Sequence, residues 1–82
     1  MIKPNSSNVT KKFPVAAHLS HSDYILLLTV YANHNSSMGL KERVNYGIGN
    51  IVEVTRNEED NCLEVYYDNG DLWKYHTDGT WS

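Results

Sequence analysis

At 82 residues, with a formal net charge of −3 and one cysteine, the chain makes a single domain near the lower size limit for a self-sufficient core. An intrachain disulfide is excluded, and so is the basic stripe with which a duplex-binding protein neutralises phosphates. No apolar run approaches the ~18 residues that would call for a spanning helix, since the stretch Tyr24 to Ala32 is short and carries Thr29.

Residues 1–12 are polar, with Pro4 and an Asn/Ser/Thr cluster, and predict a flexible tail ahead of one small domain over 13–82. The N-terminus lacks the charged-then-apolar layout of a secretory signal, and the lone Cys62 suits a reducing compartment. The expected location is cytoplasmic, which leaves the sequons at Asn5, Asn8 and Asn35 idle.

Residues 20–34 admit a helix or an extra strand. Ser20-His21-Ser22-Asp23 has the form of a capping box, and Tyr24, Leu27, Leu28 and Tyr31 fall on one helical face. Ile25, Thr29 and Val30 favour a strand instead. The helix is the preferred reading, with Asn33 near its C-cap. Asn35-Ser36-Ser37 would cap a second short helix through Leu40, Glu42 and Arg43, ended by Gly47. Tyr46-Gly47-Ile48-Gly49 then bends the chain into the first strand.

From Asn50 onward strand-forming runs alternate with Asn/Asp/Gly turns. The runs are Ile51-Val52-Glu53-Val54-Thr55, Cys62-Leu63-Glu64-Val65-Tyr66-Tyr67 and Leu72-Trp73-Lys74-Tyr75-His76-Thr77. The fold class is therefore α+β and β-rich: a small antiparallel meander or SH3-like barrel over residues 50–82.

Asn69-Gly70 between two such runs predicts a two-residue hairpin loop of type I′. That loop pairs Tyr67 with Leu72, Tyr66 with Trp73, Glu64 with Tyr75, Leu63 with His76 and Cys62 with Thr77. Opposed residues share a face. Leu63, Val65, Tyr67 and Leu72 would then form the core side, while Tyr66, Trp73 and Tyr75 project from the other. A second two-residue turn at Asp78-Gly79 would set Trp81 opposite His76.

Three large rings on one face are either covered by the N-terminal half or used for contact. On the contact reading Tyr66, Trp73, Tyr75 and Trp81 are the binding residues. Aromatic side chains with few charges suit the centre of a protein–protein interface. Self-association through the open edge of the last strand, giving a homodimer, is one form of that idea. The alternative is a single-stranded nucleic-acid-binding SH3/OB-like barrel that stacks bases on the same rings.

Chemistry is not expected. His18, His21, His34, His76 and Cys62 lack the spacing of a zinc site, and the acidic turns lack the calcium loop's closing Glu. Cys62 and His76, as nucleophile and base, would sit on opposite faces in the predicted register. Gly47-Ile48-Gly49 lacks the third glycine and following helix of a phosphate cradle. The reading is a non-enzymatic module without metal or cofactor.

From Tyr46 onward the chain resembles small SH3-type barrels of the Tudor-like kind. The carrying residues are Tyr46-Gly47-Ile48-Gly49, Ile51-Val52-Glu53-Val54 and Leu63-Glu64-Val65-Tyr66-Tyr67-Asp68-Asn69-Gly70. The resemblance implies a docking module for protein or nucleic acid. The chain departs from it in lacking basic surface. Short length and abundant asparagine also suit a phage or mobile-element inhibitor of a host or defence protein.

Overall fold

The computed structural model describes residues 12–82. The tail expected over 1–12 thus lies, apart from Lys12, outside the described residues. The domain is α+β: a 16-residue helix, α1 (His21–Ser36), packs on one face of a three-stranded antiparallel meander. Its strands are β1 (Ile51–Asn57), β2 (Cys62–Tyr67) and β3 (Leu72–His76), in the order β1-β2-β3.

The helical reading of residues 20–34 holds. Ser20 is the N-cap, its hydroxyl accepting from the Asp23 amide at 3.2 Å, which satisfies one of the orphan donors of the first turn. Asp23 in that turn also suits the positive end of the helix dipole. The buried stripe is Leu27, Val30 and His34, with Tyr24, Leu26 and Tyr31 packed beside it. It is rotated from the face expected through Leu28, and it includes a histidine.

The helix also runs further than expected, to a C-cap at Ser37 rather than near Asn33. Asn35 and Ser36 are therefore its last residues and do not cap the next helix. The short α2 (Leu40–Arg43) starts instead from Gly39. Arg43 from α2 turns back onto α1, its Nε donating to the carbonyls of Asn35 and Met38 at 3.1 Å. A cation at a helix C-terminus satisfies free carbonyls and opposes the dipole. A 3-10 turn, Ile48–Asn50, then delivers the chain to β1.

The register of the β2–β3 hairpin differs from the predicted one by a single residue. Tyr66 pairs with Leu72, Val65 with Trp73, Glu64 with Lys74, Leu63 with Tyr75, and Cys62 with His76. The loop is not Asn69-Gly70 alone but Asp68-Asn69-Gly70, closed by Gly70 N–H to Tyr67 O at 3.0 Å, with Gly70 at φ +93°. This is a tight turn followed by a left-handed glycine, the three-residue hairpin. A type I′ turn would need positive φ at Asn69 too, and among non-glycine described residues only Asn61 has it.

The next turn repeats the device. Gly79 sits at φ +92°, its N–H bonds His76 O at 3.0 Å, and His76 N–H bonds Thr80 O at 2.8 Å. Trp81 consequently lies opposite Tyr75, not His76. Lys74 and Ser82 exchange backbone hydrogen bonds at 3.0–3.1 Å. The edge of β3, expected to be open for self-association, is covered by the chain itself.

A one-residue slip moves every side chain of a strand to the other face. The inner face therefore carries Ile51, Val54, Leu63, Val65, Tyr67, Trp73 and Tyr75, which join α1 in the core. Burying Trp73 and Tyr75 with the aliphatic set removes far more apolar area from water than burying Leu72 would, and that favours the observed register.

Candidate functional site

Among the described residues, the candidate sites are a buried aromatic cage, a groove beside α1 and the outer face of the sheet. The cage takes most of the predicted binding residues. Tyr75 is fully buried and Trp73 and Trp81 are partly buried, all packed on the core. Tyr66 alone of the four faces the opposite side. The aromatic trio therefore does not share a face.

At the centre of the cage is His34, 2% exposed, with ring centroids 4.4 Å from Trp73, 5.3 Å from Trp81 and 5.6 Å from Tyr75. A polar relay runs through it. His34 Nδ1 and Tyr75 Oη are 2.9 Å apart, and Tyr75 Oη and Tyr67 Oη 2.6 Å. Burial lowers the His34 pKa and raises those of Tyr67 and Tyr75, so all three groups are neutral. The relay is a hydrogen-bonded core network, and beside it the Trp73 indole Nε1–H is buried without a hydrogen-bond partner among the described residues. His34 sits seven residues after Leu27, on the stripe already begun by Val30, and that spacing is the signal that could have found it.

Cys62 and His76, expected on opposite faces, are direct cross-strand partners. What separates them from catalysis is burial. Cys62 is fully buried and its thiol pKa is raised by desolvation, the reverse of an activated thiolate. His76 Nε2 is instead engaged with Ser82 Oγ at 2.8 Å. Among the described residues, no group of three or more His, Cys, Asp and Glu converges as metal ligands do.

The groove, of about 580 Å³, runs between Ser22, Ile25, Leu26 and Thr29 of α1 and the Thr77–Gly79 turn, with Arg56 at one end. Its charged groups are already bound. Arg56 holds Asp23 at 3.3 Å, and Asp78 accepts from the Thr80 amide and hydroxyl.

The outer sheet face is a three-by-three array. One row is Glu53, Tyr66 and Leu72, the next Thr55, Glu64 and Lys74, the last Asn57, Cys62 and His76. A register shift between Ile51 and Glu53 puts an additional residue, Val52, into the first row, because a bulge sets two residues against one. Val52 is 54% exposed and Leu72 44%, with Tyr66 half-buried between them.

Neutral donors orient the acids of this face. Glu64 accepts from Asn57 Nδ2 at 3.0 Å and from Tyr66 Oη at 3.4 Å, and Glu53 from Thr55 Oγ1 at 3.4 Å. Partial burial, and then the charge of Glu64, hold the Tyr66 phenol above its usual range. Lys74 turns away to Asp60, 2.9 Å distant. Sequence reasoning did not place Val52, Glu53, Glu64 and Leu72 together on this face; the bulge that presents Val52 leaves no mark in composition or alternation.

No helix among the described residues is long and apolar enough to cross a membrane. No family model, curated protein or solved structure matches this chain.

Proposed function

We propose that the chain is a non-enzymatic module that acts by protein–protein contact through the bare face of its sheet. The observation that carries this reading is the row of Val52, Tyr66 and Leu72, exposed or half-buried side by side where the rest of the sheet's large side chains turn inward. Scattered surface hydrophobics need no explanation, but a contiguous set on a rigid, otherwise polar sheet is how a contact site is built. The module works in the cytoplasm, where the unpaired Cys62 stays reduced. On size and asparagine content, a phage or mobile-element inhibitor of a host or defence protein is the setting that suits it. The nucleic-acid alternative loses its premise, because Trp73 and Tyr75 turn to the core and leave Tyr66 as the one ring of the trio on the face.

Photo-crosslinking in the source cells tests the reading. With p-benzoylphenylalanine in place of Leu72, a discrete adduct is expected. With the same residue in place of Ser36, exposed at the far end of α1, none is. Adducts from both positions, or from neither, contradict the proposal.

A further inference from the structure

Resting on that reading of the outer face, we infer that the partner is a cationic polypeptide segment that sets an arginine between Glu53 and Glu64, flanked by aliphatic side chains. The charges of the domain point this way. Lys12 donates to the Leu19 carbonyl, Arg43 to the end of α1, Arg56 to Asp23, and Lys74 to Asp60. Lys41 alone has no internal partner among the described residues, and it belongs to α2 and not to the sheet. Glu53 and Glu64, by contrast, hold only neutral donors. Among the described residues, the outer face therefore carries Glu53 in its apolar row and Glu64 in the next, beside Lys74, whose ammonium is already held by Asp60.

Geometry narrows the partner further. Glu53 pairs with Tyr66 and Glu64 lies two residues before it, so the acids are diagonal neighbours across β1 and β2, about 7–8 Å apart. A planar guanidinium can bridge that interval. Its fork matches a carboxylate and its face stacks on the Tyr66 ring, which an ammonium does less well. Aliphatic neighbours would cover Val52 and Leu72. A second copy of this chain fits poorly, since it would bring the same two acids against themselves, and like charges across an interface are costly.

The test titrates the full chain, labelled for amide NMR, with three synthetic peptides: alternating Arg and Val, the same with Ser for Arg, and the same with Glu for Arg. The Arg/Val peptide is expected to shift the amides of Val52, Glu53, Glu64, Tyr66 and Leu72, more weakly in high salt. The double substitution Glu53→Gln with Glu64→Gln is expected to weaken it about tenfold, as loss of a charge-assisted pair does. Equal binding of the Ser/Val or Glu/Val peptide, indifference of the double variant, or no shift with Arg/Val would overturn the cationic partner, while the crosslink at position 72 still decides the face. Shifts confined to other surfaces, or Arg/Val binding unchanged by Leu72→Ser, would bring down the face as well.

Discussion

The residue on which the interior turns is Tyr75, whose hydroxyl joins His34 to Tyr67. Tyr75→Phe leaves both partners buried with one bond fewer. A cost of about 1–3 kcal/mol in urea denaturation is expected, against less than about 0.5 kcal/mol for the outward Tyr66→Phe. The two tyrosines look alike in the sequence, and parity relative to the turn is the only feature that separates them. His34 adds a pH dependence. Its pKa is lowered by burial from the ordinary 6.5, so the unfolded chain takes up the proton first. The groups facing it are Tyr75 and Trp73 of β3, Trp81 of the final segment and Tyr46, with Tyr67 next in the relay and Asp71 beyond Tyr46. None of its direct contacts is a carboxylate that could stabilise an imidazolium. Its stabilisation is complete above pH 6.5 and is lost as pH falls below it, no more steeply than about 1.4 kcal/mol per pH unit. Thermal melts from pH 7.5 to 5 should show this slope in the native chain and a flatter one in His34→Gln.

Among the elements, α1 was legible because its start is written in side-chain chemistry. Ser20 caps and Asp23 follows three residues later, so Ser20→Ala should cost about 0.5–2 kcal/mol in thermal or urea unfolding. The hairpins were legible as hairpins but not in register. Asn-Gly serves a two-residue or a three-residue loop, and local turn chemistry does not choose between them. The choice lies in the core, where Trp73 and Tyr75 gain burial only in the longer loop. Both loops depend on a left-handed glycine, with open space where a Cβ would stand. Gly70→Ala and Gly79→Ala are therefore expected to destabilise by about 1–2 kcal/mol each through backbone strain alone. Unfolding that matches the native chain for both would mean that the left-handed conformation of these glycines is not needed to close the turns.

At the scale of the whole molecule, one sheet face is closed by α1, while the other is exposed at its Val52, Glu53 and Leu72 end and closes over Cys62 at the opposite end. The expected division into an aliphatic and an aromatic face is not what the structure has: a single-residue slip turns Trp73 and Tyr75 inward to join the aliphatic set and leaves Tyr66 outside. The bulge at Val52 and the outward Leu72 follow from tertiary pairing, and so the outward apolar row emerged only with the fold. Self-association is disfavoured by the covered β3 edge and by Glu53 and Glu64, so sedimentation should find a monomer in the absence of a partner.

The sharpest test places the photo-reactive residue at Val52 and adds Leu72→Ser. An unchanged melting temperature with loss of the crosslinked adduct is the expected result, since Leu72 contributes to contact and not to the core. An adduct that survives in full, or a melting temperature that collapses, would show that this side of the sheet is not where the partner docks.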